Sequence, residues 1–118
     1  MAAHNDLGQL GEDLAEKYFI ERGYEILCRN WRHFRKELDM VAAKDDVLHF
    51  IEVKTRSSSQ FGRPEDAVDE IKINFLVAAG EEYLYQNPEW KKIRFDVLSI
   101  CIQPNGDVEY FLIEDVYV

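Results

Sequence analysis

Residues 37–56, ELDMVAAKDDVLHFIEVKTR, form two apolar, strand-like runs on either side of Lys44-Asp45-Asp46, with three charged groups, Asp39, Glu52 and Lys54, set inside those runs. The pattern predicts a buried β-hairpin. Charged side chains are almost never fully buried without a partner, so these three must satisfy one another or bind a cation. Register decides between the options. If the hairpin turns on Asp45-Asp46, Lys44 pairs with Val47 and Asp39 stands opposite Glu52, while Glu37 faces Lys54. Directly opposed Cβ atoms lie about 4.5–5.5 Å apart, close enough for two carboxylates to converge on one small ion. A slip of one residue would send Asp39 to the other side of the sheet. Glu52 and Lys54, two apart, share a face in any register.

Two like charges this close would force one to protonate or would demand a cation. Mg2+, or Mn2+, suits Asp39 and Glu52, because it prefers oxygen ligands and keeps several waters. The Val53 carbonyl is a candidate further ligand. Lys54 adds a point charge suited to a phosphoryl transition state. The alternative is a salt-bridged hairpin, with Lys54 paired to Glu37 or Glu52 and Asp39 either solvated at a strand end or taken by an arginine such as Arg56.

The rest of the chain supplies a frame for that hairpin. Residues 6–22 place Leu7, Leu10, Leu14, Ala15 and Tyr18 at helical spacing, with Asn5 or Asp6 as the cap and Gly23 as the stop. Glu12 falls at the edge of this apolar stripe, beside Phe19. Residues 24–31, 37–43 and 47–54 read as strands. SSSQFGRP is a polar loop, and beyond it Ala67, Val68, Ile71, Phe75, Ala78, Ala79 and Tyr83 recur at helical spacing as far as Gln86, preceded in one variant by a separate short turn of helix, before Asn87-Pro88 ends the run. Residues 93–102 and 108–113 read as two further strands joined by QPNGD, in which Asn105-Gly106 is a strong hairpin signal. The expected fold is α/β: a mixed sheet of about five strands flanked by helices, in the order αβββαββ, within a single domain spanning residues 1–118.

The chain has 118 residues, 47% of them hydrophobic, and no apolar run near the length of a membrane span; its first residues lack the basic and apolar parts of a signal peptide. We expect a cytoplasmic protein with no membrane partner. Cys28 and Cys101 lack metal-ligand spacing and are expected to be free structural thiols. His49, alternating with Val47 and Ile51, is expected to be a hydrogen-bonded core or edge histidine. The formal net charge of −9 argues against a polyanionic partner. Residues 29–63, however, hold eight Lys or Arg against five Asp or Glu, a local balance of +3. That makes Arg29, Arg32, Arg35, Lys36, Arg56 and Arg63 candidates for contacts to a nucleic-acid backbone, unless the stretch from Arg29 to Lys36 is simply a solvated loop.

With its acid on one strand and Glu-Val-Lys on the next, the hairpin resembles the PD-(D/E)xK nuclease superfamily, whose members hold divalent metal for phosphodiester cleavage. More narrowly, LGQLGEDLAEKYFIERGYEILCRNWR, ELDMVA, FIEVKTR, FGRPEDAVDEIK and RFDVLSI are similar to the YraN-like family of predicted endonucleases, related in fold to Holliday junction resolvases. The resemblance implies a restriction endonuclease-like fold. Asp39 and Glu52 match its metal-binding acids, Lys54 its catalytic lysine, Glu12 a first-helix glutamate that approaches the metal, and Lys72 a basic residue that follows the active-site loop. Two positions depart from the pattern: Lys36 stands where a glycine is usual, and Leu38 where a proline can precede the aspartate. The implied activity is Mg2+-dependent endonucleolytic cleavage of structured or branched DNA. The implied assembly is a homodimer, by analogy with resolvases that cut two strands of a junction, and the final apolar segment could supply an edge strand for it. Two further functions compete: a catalytically inactive nucleic-acid-binding module on the same fold, and a protein–protein adaptor whose central charges are salt bridges.

Overall fold

The computed structural model describes residues 3–57 and 68–117, with side chains from Asp6 onward in the first helix. In chain order the elements are α1 (Ala3–Glu21), β1 (Glu25–His33), β2 (Lys36–Lys44), β3 (Val47–Ser57), α2 (Glu70–Gln86), β4 (Lys92–Ile102) and β5 (Val108–Ile113). This is the expected order of elements. The five strands form one mixed sheet in sequence order, antiparallel throughout except for the parallel β3–β4 pair, whose crossover carries α2. β5 lies at an edge of the sheet. Among the described residues no helix is long and apolar enough to cross a membrane. Of the loop expected at residues 57–64, Ser57 is instead the last residue of β3, and the remainder, Arg63 within it, lies outside the described residues together with the short helical turn expected before α2.

The β2–β3 hairpin turns where the register argument needs it. Lys44 pairs with Val47 and the ladder runs back to Met40 opposite Ile51. Asp45 and Asp46 both take positive φ, 53° and 66°, as the two central residues of a type I′ turn must. That turn usually favours Asn-Gly, and a pair of aspartates meets its geometry here because short polar side chains tolerate the left-handed region. The β4–β5 hairpin is one residue longer than its Asn-Gly signal suggests. Gly106 N–H donates to the Gln103 carbonyl and Gln103 N–H to the Asp107 carbonyl, so Pro104, Asn105 and Gly106, the last with φ 93°, form a three-residue loop with a glycine bulge.

α1 begins at Ala3, so Asn5 and Asp6 lie within its first turn rather than capping it. Its end follows the expectation: Gly23, φ 89°, donates to the Ile20 carbonyl and Tyr24 N–H to the Phe19 carbonyl, with the Phe19 and Tyr24 rings in edge contact at 4.8 Å. α2 is capped by Asp69, whose carboxylate accepts from Ile71 and Lys72 N–H, and it stops at Asn87.

The two helices cover opposite faces of the sheet. Ala15 and Phe19 of α1 pack with Met40, Ala42, Ile51, Leu98 and Ile100. Leu76, Ala79 and Tyr83 of α2 pack with Leu38, Val41, Leu48, Phe50 and Phe95. Each large apolar side chain buried this way contributes roughly 1.5–3 kcal/mol. The buried face of α2 is the expected stripe only in part, at Ala79 and Tyr83. Ile73, Leu76, Ala79, Gly80 and Tyr83 face the sheet, whereas Ile71 and Phe75 are 68% and 71% exposed. Close approach sets the rotation: a Cβ on Gly80 would lie 2.7 Å from the Phe95 ring and 2.9 Å from that of Phe50. On the other face Gly11 plays the same part, since a Cβ there would overlap the Thr55 side chain.

Candidate functional site

β2 breaks its own alternation next to the expected site. Leu38 packs on the α2 side of the sheet and Met40 on the α1 side, although they are two residues apart. Asn30 on the neighbouring strand, between the pairs Arg29–Met40 and Trp31–Leu38, has φ 52°. Past Met40 and Ile51 the β2–β3 ladder stops. There the Asp39 side chain does what a main-chain carbonyl would have done: its Oδ2 accepts the Val53 N–H at 2.9 Å.

The result is a cavity of about 640 Å3 lined by Asp39, Glu52, Val53 and Lys54 from the hairpin, Lys72, Phe75, Leu76 and Ala78 from α2, and Arg35, Lys36 and Glu37 from the start of β2. Asp39 and Glu52 thus share one cavity at the first positions beyond the ladder. The ladder ends before the expected pairing of Glu37 with Lys54, although both residues line the cavity. 

Burial and neighbouring charges shift the ionisable groups there. Burial pushes the Asp39 carboxyl up to about 6; the Val53 hydrogen bond opposes this, and the negative charges of Glu52, Glu12 and Glu37 add to it. Burial also raises Glu52, against the pull of Lys72 and Lys54. The Lys54 amine is pushed below its ordinary value, first by its hydrogen bond with the Lys72 amine, then by burial and by the like charge, while Glu52 and Asp39 hold it up.

Other candidate residues are placed differently. Glu12 comes from α1, on the far side of the sheet, and does not line the cavity; its Oε1 accepts from Asn30 Nδ2 at 2.9 Å and from Arg29 Nη2 at 3.4 Å. Arg29 also pairs with Glu16 at 2.9 Å and Asp13 at 3.0 Å, so its guanidinium ties β1 to α1. Arg32 is exposed and pairs with Glu37 at 3.0 Å. Arg56 lies on β3, half-buried, outside the cavity lining. Among the described residues no three His, Cys, Asp or Glu gather closely enough to hold a metal ion by themselves. Cys28 and Cys101 are free. His49 is a core residue, its Nδ1 2.7 Å from Asp96 Oδ2; the other Asp96 oxygen accepts the Asp115 N–H. The aspartate of RFDVLSI is therefore an anchor for the chain after β5.

Two residues at the site escaped the sequence reading. Asn30, which holds Glu12, acts through a backbone kink that no local pattern announces. Phe34, between His33 and Arg35, is 92% exposed at the tip of the β1–β2 hairpin, where only a basic loop was expected. Its signal was available: an aromatic residue amid four basic or histidine neighbours in HFRK and the preceding Arg32.

Comparison with known proteins gives a family and no activity. Over 100 residues the chain is 46% identical to UPF0102 protein FP2501 of Flavobacterium psychrophilum, covering 85% of this chain and 84% of that one. It is 43% identical over 117 residues to a UPF0102 protein of Bacteroides thetaiotaomicron, covering 99% and 96%. It is 41% identical over 113 residues to one of Dictyoglomus thermophilum, covering 92% and 96%. The model of the uncharacterised protein family UPF0102 matches residues 11–100, and the chain belongs to that family.

Proposed function

We propose that this chain is a metal-dependent endonuclease, built on a restriction endonuclease-like fold, that hydrolyses phosphodiester bonds in structured or branched DNA. The observation that carries the proposal is the gathering of Asp39, Glu52 and Lys54 in one cavity, at the place where the β2–β3 ladder ends. The donor set fits Mg2+ or Mn2+ better than zinc: two carboxylates and a main-chain carbonyl at Val53 suit a hard cation that keeps several waters. Both carboxyls are raised by burial, so a divalent cation would relieve the cost of holding them ionised. Such an ion, once bound, would polarise a phosphate oxygen and activate a water.

The chain's own residues would do the remaining work. The Val53 N–H fixes the Asp39 carboxylate through Oδ2 and leaves its other oxygen as a donor. Lys54 and Lys72 bring two amines to the edge of the same cavity, where they can offset charge on a phosphoryl group. Arg35 and Lys36 line its outer part and supply backbone contacts. Glu12 contributes to the field at Asp39 from across the sheet.

A second reading, a nucleic-acid-binding module without turnover, is favoured by the net charge of −9 and by the engagement of Glu12 with Asn30 and Arg29. One experiment separates the two. Mn2+ binding is measured by calorimetry for the wild type and for the double variant Asp39→Asn, Glu52→Gln, and cleavage of a labelled four-way DNA junction is followed on the same samples. The endonuclease reading expects metal binding and metal-dependent cuts that both disappear in the double variant. Metal binding without cuts would select the binding module. Absence of metal binding by the wild type would reduce the cavity to a salt-bridged hairpin and defeat both.

A further inference from the structure

Phe34 is the most exposed large hydrophobic residue of the described chain, at 92%, and it has φ 56° at the first position of the two-residue turn between β1 and β2. A bulky residue in the left-handed region is strained, and turn positions of this kind usually go to glycine or asparagine. A large apolar ring held in water by a strained backbone stabilises nothing locally beyond its edge contact with His33, at 4.6 Å. Strain of this kind collects at functional sites.

The surroundings say what the ring would meet. Its neighbours at the tip are polar or charged: His33, Arg35, Lys36 and Glu82 surround the same shallow depression. A partner protein would call for a wider apolar patch. Lys36 is 3.9 Å from Glu82, whereas Arg35 makes no ion pair with any described residue. Arg35 and Lys36 also line the carboxylate cavity, so the tip and that cavity are continuous. An exposed aromatic ring beside cations fits a flat base flanked by phosphates.

We propose that Phe34 is a base-stacking wedge, which packs its ring on an unpaired nucleobase while Arg35 and Lys36 hold the adjoining phosphates at the entrance to the Asp39–Glu52 cavity. This rests on the nucleic-acid reading above and adds to it a preference for unpaired or unstacked bases. Affinity is measured by fluorescence anisotropy in EDTA, which prevents cleavage, with a labelled 20-nucleotide single strand, the corresponding duplex and a four-way junction as probes. Wild type is compared with Phe34→Ala, Phe34→Trp, Phe34→Gly and Arg35→Gln. We expect tighter binding to the strand and junction than to the duplex, and a roughly ten- to hundredfold loss on Phe34→Ala with the salt dependence unchanged. Phe34→Trp should retain the affinity. Arg35→Gln should lower the salt slope by roughly one. Phe34→Gly should bind as weakly as Phe34→Ala while melting at or above the wild-type temperature, because glycine relieves the positive φ.

If the wild type binds and Phe34→Ala binds equally well, the wedge is refuted and the nucleic-acid reading stands. If Phe34→Gly melts below the wild type, the ring is a structural anchor and the wedge is again refuted. If the wild type binds no probe, both fail together.

Discussion

Asp39→Asn should make this protein more stable at alkaline pH and leave it unchanged in acid. The Asp39 carboxyl moves from an ordinary 3.8 to about 6, chiefly through burial. A carboxylate raised in the folded state contributes most to stability below its unfolded pKa, and that contribution is lost as pH rises through the folded one. A shift of about two units, at roughly 1.4 kcal/mol each, means that holding Asp39 ionised costs on the order of 3 kcal/mol above pH 7. Asparagine removes the charge and keeps an oxygen to accept the Val53 N–H, so the backbone there has no reason to move. In EDTA the variant should therefore match the wild type at about pH 3 and melt about 10 °C higher at pH 8, with the divergence opening between about pH 4 and pH 6. Thermal unfolding followed by circular dichroism across that range measures it directly. A difference independent of pH, or a wild type that is the more stable at pH 8, would refute the account of Asp39 as a buried carboxylate without a compensating cation. Added Mg2+ should close the gap at pH 8 by stabilising the wild type alone.

Gly80→Ala should cost about 1–3 kcal/mol in urea unfolding, since its Cβ would meet the rings of Phe95 and Phe50 at 2.7 and 2.9 Å, whereas Gly8→Ala, with nothing within 4 Å, should be neutral or stabilising. Asp96→Ala should cost about 3–5 kcal/mol, because it strips the buried His49 of its partner and leaves the Asp115 N–H without an acceptor; Asp96→Asn should recover part of that loss.

The fold was largely legible because its signals are local. Gly23 stops α1, Asn87 ends α2, and Asp45-Asp46 is the one turn that keeps both apolar runs of the central hairpin in phase. The rotation of α2 was not legible. INFLVAAG is apolar almost all the way around, so its periodicity cannot say which side faces the sheet, and the choice falls to the fit of Gly80 against two phenyl rings contributed by β3 and β4. Start points were equally elusive: Asp6 is a competent cap, but a residue that can cap may also sit in a first turn, where its charge still favours the helix dipole.

At the site, parity was enough to bring Asp39, Glu52 and Lys54 to one cavity, and it was not enough to show how the cavity opens. A regular ladder would have continued past Met40 and Ile51 and closed the gap with main-chain hydrogen bonds. Instead the reversal between Leu38 and Met40, opposite the kink at Asn30, withdraws β2 from the ladder, and the Asp39 side chain takes over the Val53 N–H. The same kink points the Asn30 amide at Glu12, while Arg29, one residue earlier, draws Glu12, Asp13 and Glu16 to β1. One irregularity in two adjacent strands thus holds α1 in place and opens the sheet on its opposite face. The acidic charge of α1 is answered by Arg29. That of Asp39 is answered by the neutral Val53 N–H, while burial and the charges of Glu52, Glu12 and Glu37 push its carboxyl up.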